Sequence, residues 1–128
     1  MNTGLTPYKQ ISRKLENDIL AGKLPPGCRI SSVRELAAQY QVNPNTVQRA
    51  VRELKQTGLL VSSRGRGTLV IDDEDYIYEL KQKRGKELVC WFIRKMELLG
   101  YSNEQAKTMV MTKIYDDGKT RTGKDTMT

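Results

Sequence analysis

Hydrophobic residues return every three or four positions along the first half of the chain, which predicts three helices there. The first helix runs from Pro7 to about Ala21 and ends at Gly22. The second begins after Ser32, because Ser32 and Glu35 have the spacing of a capping box, in which each side chain accepts the other residue's backbone N–H. Helical structure is therefore expected over most of the first 60 residues.

The third helix follows the second after a short turn. Asn43 is a suitable N-cap, Pro44 occupies the first helical position, and Gly58 ends the helix. Its apolar stripe is Val47, Ala50, Val51 and Leu54. Its opposite face carries amide, hydroxyl and arginine side chains: Asn45, Thr46, Gln48, Arg49 and Arg52. A pair of helices with such a face indicates a helix-turn-helix that can enter the major groove of DNA.

Two short strands are predicted directly after this pair, at residues 59–62 and 68–71, around the turn Arg64-Gly65-Arg66-Gly67. A solvated turn with incidental charge explains this turn equally well by itself. The preceding helices favour a wing, since glycines let the backbone approach a phosphate or a minor groove. The first half of the chain is thus predicted to be a winged helix.

The second half has a different pattern. The acidic run Asp72–Asp75 lacks calcium-loop spacing and is interpreted as a linker that begins a helix reaching from Tyr76 to about Leu99. Residues 81–87 contain no apolar residue, whereas residues 88–99 are apolar nearly all the way round the helix. Such a segment must be covered on more than one side.

A last helix begins at a second capping box, Ser102 with Gln105, and is predicted to end near residue 116. It is too short to cover residues 88–99 alone, so a second copy of the chain is expected to complete a homodimer. The predicted dimer interface is Leu88, Trp91, Phe92, Met96, Leu99, Met109, Val110 and Ile114. Packing on the winged helix, or an open groove for another protein, are the alternatives. The polar residues 117–128 predict a disordered tail.

The distribution of charge locates the binding function. Residues 1–70 hold 11 Lys/Arg and 4 Asp/Glu, whereas residues 71–128 hold 11 of each, so the whole net charge of +7 lies on the predicted winged helix. This is expected of a half that meets phosphates.

Without histidine, a phosphate loop or paired carboxylates outside the acidic run, no general base can be named, and no enzyme, metal site or cofactor is expected. Two isolated cysteines, and no signal-peptide or membrane-span pattern, indicate a soluble, cytoplasmic protein.

Several motifs together resemble the N-terminal domain of the GntR family of transcription regulators. They are Tyr8-x-Gln10-Ile11, Gly22-x-Leu24-Pro25-Pro26-Gly27, Ser32–Ala37, Thr46-Val47-x-x-Ala50 and Arg64–Thr68. The run Val42–Val47 and the short helical C-terminal part are similar to the YtrA-type subfamily. This resemblance implies a repressor of nearby operons, often encoding ABC transporters, with an inverted-repeat operator of GT…AC half-sites.

The resemblance also implies DNA contacts at Arg34, Thr46 and the wing glycines, and helix geometry adds the asparagine, glutamine and arginine side chains near the start of the third helix. The predicted DNA-binding residues are Ser32, Arg34, Asn43, Asn45, Thr46, Gln48, Arg49, Arg64, Gly65, Arg66, Gly67 and Thr68. Other branches of the family carry basic residues where Pro44 and Gln48 stand here. Amide side chains are therefore expected to carry more of the base recognition in this chain.

The predicted fold is mainly α with a small β-hairpin. It consists of a winged helix-turn-helix DNA-binding domain at residues 1–71, a helical dimerisation part at 72–116 and the tail at 117–128. The predicted function is a sequence-specific DNA-binding transcription regulator, most simply a homodimeric repressor. A non-specific or architectural DNA-binding protein and a protein-interaction adaptor are the alternatives. Trp91, Phe92 and Tyr101 are interpreted as dimer core, with contact to an unidentified small-molecule effector as the other interpretation.

Overall fold

The computed structural model describes residues 4–127, with side chains described as far as residue 118. Its elements are helices α1 (Pro7–Leu20), α2 (Val33–Tyr40) and α3 (Pro44–Gln56), strands β1 (Leu60–Ser63) and β2 (Gly67–Val70), and helices α4 (Glu74–Leu98) and α5 (Asn103–Met127). The predicted fold class, mainly α with a small hairpin, is confirmed. The chain forms two compact units, one ending at Gln82 and the other beginning at Lys83.

The helices of the first unit begin at the predicted capping residues. Ser32 Oγ accepts a hydrogen bond from the Glu35 backbone N–H at 3.1 Å, and Glu35 Oε1 accepts one from the Ser32 N–H at 2.8 Å. Asn43 Oδ1 accepts a hydrogen bond from the Asn45 N–H at 2.8 Å and caps α3. Thr6 occupies the N-cap position of α1, although its side chain makes no capping hydrogen bond. The positions of these helices thus follow from short-range signals.

The turn between α2 and α3 depends on a strained backbone. Gln41 adopts a left-handed conformation with φ of 56°, which costs a residue with a side chain about 1–2 kcal/mol. The Val42 N–H donates to the Ala37 carbonyl at 3.0 Å and closes the last turn of α2. Val42, the residue after Gln41, also packs against the core.

The core of the first unit lies between α1, α2, α3, the hairpin and the beginning of α4. It consists of Ile11, Leu15, Ile19, Ile30, Leu36, Ala37, Val47, Ala50, Val51, Leu54, Leu59, Leu60, Val70 and Ile77. Tyr76 adds a hydrogen bond from its hydroxyl to the Thr57 carbonyl at 2.5 Å. Because Tyr76 and Ile77 belong to α4, the first unit includes the beginning of that helix as well as the predicted winged helix at 1–71.

The hairpin is antiparallel, with Leu60 paired to Val70 and Ser63 to Gly67. Both strands lie one residue closer to the turn than predicted. At the open end, the Leu59 N–H closes the end of α3 on the Leu54 carbonyl, so Leu59 joins the hairpin only through its carbonyl, which accepts a hydrogen bond from the Ile71 N–H at 2.8 Å. The extended segment before α2 joins the hairpin through hydrogen bonds from Ile30 N–H to the Thr68 carbonyl and from Val70 N–H to the Cys28 carbonyl. The wing is therefore tied to the entry of α2.

The second unit contains the remainder of α4 and helix α5. Gly100, with φ of 94°, ends α4, and the Tyr101 N–H donates to the Met96 carbonyl at 3.1 Å. The predicted capping box at α5 is confirmed: Ser102 Oγ accepts from the Gln105 N–H at 3.1 Å, and Gln105 Oε1 accepts from the Ser102 N–H at 2.9 Å.

The beginning of α4 agrees with the sequence prediction, whereas the end of α5 does not. The acidic run does begin α4, since Asp73 Oδ1 accepts a hydrogen bond from the Tyr76 N–H at 3.0 Å and Glu74 and Asp75 lie in the first turn. Helix α5 continues past residue 116, where the sequence pattern ended it. The predicted tail at 117–128 falls mainly on residues whose side chains lie outside the described part, so it stays a prediction. Over residues 4–127, none of the helices has the length and apolar character needed to cross a bilayer.

Candidate nucleic-acid interface

Helix α3 exposes its polar face because its apolar stripe is buried. Val47 and Ala50 are 0% exposed and fix the rotation of the helix about its axis. Asn45, Gln48 and Arg49 therefore point to solvent, and the remaining predicted residue on this helix, Thr46, is half-buried. The exposed amide and guanidinium groups are those that recognise adenine and guanine edges in a major groove.

Two predicted DNA-binding residues also maintain the helix ends. The Asn43 side-chain oxygen accepts the capping hydrogen bond of α3, which leaves its amide N–H groups as free donors for a ligand. The Ser32 oxygen accepts the capping hydrogen bond of α2, which leaves its hydroxyl proton as a donor. Ser32 and the exposed Arg34 lie at the N-terminus of α2, where backbone N–H groups and the helix dipole favour an anion such as phosphate.

The wing turn is open to solvent. Arg64, Gly65 and Arg66 are exposed, and the Arg66 N–H donates to the Ser63 carbonyl at 3.1 Å. Gly65 has φ of 79° and no atom within 4 Å of the site that a Cβ would occupy. Of the other predicted wing residues, Gly67 is exposed at the base of the turn and Thr68 is half-buried in β2. The tip is thus two arginines on a turn with room for a phosphate backbone.

Arg29 is an exposed cation that the sequence pattern did not single out. Its Nε lies 3.4 Å from the site that a Cβ on Gly67 would occupy, at the base of the wing. The hydrogen bond from the Ser32 N–H holds the pKa of the Glu35 carboxyl below its usual value, and the Arg29 charge lowers that pKa further. Arg29 therefore lies between the wing and the first turn of α2. Its position in the extended segment before the capping box was the available signal.

Two contacts from the beginning of α1 hold the exposed side of α3. The Arg49 guanidinium carbon lies 3.8 Å from the centroid of the Tyr8 ring, which is cation–π stacking. Lys9 Nζ donates a hydrogen bond to Glu53 Oε1 in an ion pair between α1 and α3. This hydrogen bond lowers the pKa of the Glu53 carboxyl and raises that of Lys9. The sequence pattern selected Arg49 but not Tyr8, because the two residues are distant in the chain.

The side chains predicted for the dimer interface lie in the second unit, and most are exposed in the single chain. Leu99 is 73% exposed, Trp91 58% and Ile114 62%. Leu88 and Met109 are also exposed, whereas Phe92, Met96 and Val110 are half-buried. Further exposed apolar side chains not included in the prediction are Val89, Ile93, Leu98, Met111 and Tyr115. Exposed apolar side chains grouped in this way are typical of a surface that another molecule covers.

The chain matches known proteins along most of its length. Residues 7–70 match the family model described as bacterial regulatory proteins, gntR family. The uncharacterized HTH-type transcriptional regulator YhcF of Bacillus subtilis is 36% identical over 98 residues, which cover 77% of this chain and 81% of that protein. The HTH-type transcriptional repressor YtrA of the same organism is 41% identical over 66 residues, which cover 52% of this chain and 51% of that protein.

Solved structures extend the comparison to the fold. A GntR family transcriptional regulator from Listeria monocytogenes has a TM-score of 0.82 and 34% identity, covering 88% of this chain and 98% of that chain. The AraR DNA-binding domain in complex with operator ORR3 has a TM-score of 0.50 and 35% identity, covering 52% of this chain and 80% of that chain.

These relatives are DNA-binding regulators of transcription rather than enzymes. The family model covers the whole winged helix, and the YhcF and Listeria matches extend into the C-terminal helices. The resemblance seen in the sequence motifs is thereby confirmed. The chain belongs to the GntR family of bacterial transcriptional regulators.

Proposed function

We propose that this GntR-family regulator is a YtrA-type repressor that binds an inverted-repeat operator as a homodimer. The observation that carries the proposal is the exposed face of α3, where Asn45, Gln48 and Arg49 are available on a helix fixed by its buried stripe. A winged helix of similar fold, that of AraR, occurs in complex with its operator. The repressor role is supported by the similarity to YtrA, which is a repressor.

The proposed contacts divide between bases and backbone. Asn45 and Gln48 suit adenine and Arg49 suits guanine in the major groove, while Thr46 and the Asn43 amide contribute at the start of α3. The arginines of the wing contact phosphate or a minor groove. Ser32 and Arg34 contact phosphate at the N-terminus of α2, and Arg29 does so between α2 and the wing.

The homodimer is proposed to form through the second unit. Two copies of its exposed apolar side chains would cover each other, and the two-fold symmetry of such a dimer matches that of an inverted repeat. Trp91, Phe92 and Tyr101 are assigned to this interface, and an unidentified effector contacting them is the further hypothesis of regulation. A regulator of this kind acts on chromosomal DNA, so its proposed location is the cytoplasm.

Operator binding is tested by changing the spacing of the half-sites. Footprinting on genomic fragments, including the regulator's own promoter, first identifies the operator. Inserting about 5 bp between its half-sites turns them to opposite sides of the duplex, whereas about 10 bp restores the same side. Loss of affinity with the shorter insert and partial recovery with the longer one is expected. Equal affinity for all spacings, or for a scrambled duplex, would contradict a symmetric, sequence-specific dimer.

Two single substitutions test the division between base and backbone contacts. Arg49→Ala is expected to cost about 1–3 kcal/mol on the operator and to relax discrimination at one base pair. Arg66→Ala is expected to weaken binding to operator and scrambled DNA alike and to reduce the salt dependence. Similar behaviour of both variants on both duplexes would contradict this division.

A reporter under the identified promoter measures repression directly, with increased expression expected when the regulator is removed.

A further inference from the structure

The contact between Arg49 and Tyr8 connects α3, which carries the proposed base-reading side chains, to α1, which carries none of them. Arg49 is exposed on α3, and Tyr8 is half-buried in the first turn of α1. Their separation of 3.8 Å is well inside the limit of about 6 Å for a cation–π contact. An exposed arginine by itself adopts many rotamers, so this ring defines where the guanidinium is placed before any ligand binds.

Stacking leaves the recognition edge of the guanidinium unused. The ring contacts the flat face of the group, whereas all five N–H donors lie in its plane. The Glu53 carboxylate, one helical turn further along α3, accepts a hydrogen bond from Lys9 and interacts with Arg49 only through its charge. The N–H donors of Arg49 are therefore available for the N7 and O6 atoms of guanine, which suit the fork of a guanidinium group.

The first turn of α1, which carries Tyr8, is attached to α3 and to the core. Pro7 fixes the first turn of α1, and the Lys9–Glu53 ion pair joins that turn to α3. Ile11 is buried one turn later and holds α1 against the core. Tyr8 is thus carried by an element that moves with α3, as a group that orients another side chain must be.

We propose that Tyr8 is a positioning residue that determines base specificity through Arg49, and this inference rests on the proposed recognition of bases by α3. The ring holds the guanidinium in the orientation in which its edge meets guanine, and so the rotamer freedom of Arg49 is lost on folding rather than on DNA binding. Helix α1 thereby contributes to sequence recognition without contacting a base.

The experiment compares full-length variants on the footprinted operator and on a panel in which each base pair is replaced in turn. The variants are Tyr8→Phe, Tyr8→Leu, Arg49→Ala and the double variant Tyr8→Leu/Arg49→Ala. Tyr8→Leu is expected to reduce discrimination about three- to tenfold at the base pair where Arg49→Ala reduces it, and Tyr8→Phe is expected to retain it. The double variant is expected to be no worse than Arg49→Ala, because Tyr8 acts through Arg49.

Ile19→Val is the matched control for a merely structural role. It trims buried packing at the end of α1 distant from Tyr8, so it is expected to lower thermal stability while leaving the base preferences unchanged. Additive losses for Tyr8→Leu and Arg49→Ala, or an unchanged profile in Tyr8→Leu, would overturn the inference. An unchanged profile in Arg49→Ala, with operator binding intact, would overturn it too while leaving the proposed function standing. Failure of the natural protein to distinguish operator from scrambled duplex would instead remove the proposed function.

Discussion

A charge placed on α5 tests the proposed dimer most directly. Ile114 belongs to the predicted interface and is 62% exposed in the single chain. Ile114→Lys should therefore be tolerated by the monomer, since lysine has a high helix propensity and its charge stays in water at an exposed position. In the dimer the same lysine would bury its charge against apolar side chains of the second copy, which is costly without a partner.

The magnitude follows from the area that the second copy covers. Full burial of an isoleucine side chain contributes about 1.5–3 kcal/mol, and a two-fold interface buries two copies. Scaling by the exposed fraction of Ile114 gives about 2–4 kcal/mol, before any cost of the new charge. The dissociation constant of the dimer is therefore expected to rise at least about 30- to 700-fold.

Sedimentation over a dilution series measures this constant, and the emission of Trp91 provides a second signal because it is the only tryptophan. Trp91 is 58% exposed in the single chain, so its emission should shift to the red on dissociation. Thr112→Lys is the matched control, since this exposed residue lies on the same helix but roughly 200° around its axis from Ile114. Equal dissociation of the two variants, or none in Ile114→Lys, would refute the predicted interface.

Four further predictions concern the first unit. Ser32→Ala removes the α2 capping box and should lower the free energy of unfolding by about 1 kcal/mol in urea titrations. Gln41→Gly relieves the positive φ and should raise it by about 0.5–1 kcal/mol in the same assay. The Glu53 carboxyl has a depressed pKa in the folded state because of its ion pair with α1, so this stabilisation is present above its unfolded pKa and is lost as the pH falls through the folded pKa. Glu53→Gln should therefore flatten the acid side of a plot of melting temperature against pH. Arg29→Gln should reduce the slope of log affinity against log salt by about 0.9 on operator DNA, as expected for one lost phosphate contact.

Each of these has a result that would count against it. A Ser32→Ala variant as stable as the natural protein would show that the cap contributes nothing, and a less stable Gln41→Gly variant would show that the turn tolerates its side chain. If melting temperature falls with acid equally in the natural protein and in Glu53→Gln, the ion pair does not contribute to the pH dependence of stability. For Arg29, the comparison is Arg13→Gln on the exposed side of α1, whose salt slope should stay unchanged.

The helices of this protein were predictable because their ends are set by neighbours in the chain. The capping boxes at Ser32 and Ser102 and the cap at Asn43 were predicted from spacing alone and are present as hydrogen bonds. The strands were misplaced by one residue, and at their open end the Leu59 N–H bonds back to α3, a contact that alternating hydrophobicity does not reveal. The exposed face of α3 followed from its apolar stripe, so most of the candidate DNA-binding residues could also be named in advance.

The sequence by itself thus determined the helix-turn-helix, the wing and the charged half of the chain, since caps, turns and periodicity act over a few residues. Only the tertiary structure decided which distant side chains meet. The stacking of Tyr8 on Arg49, the ion pair of Lys9 with Glu53 and the position of Arg29 beside the wing all depend on how separate elements pack. Packing brings these groups together because burial of the shared core fixes the rotation and height of each helix, and no local pattern carries that information.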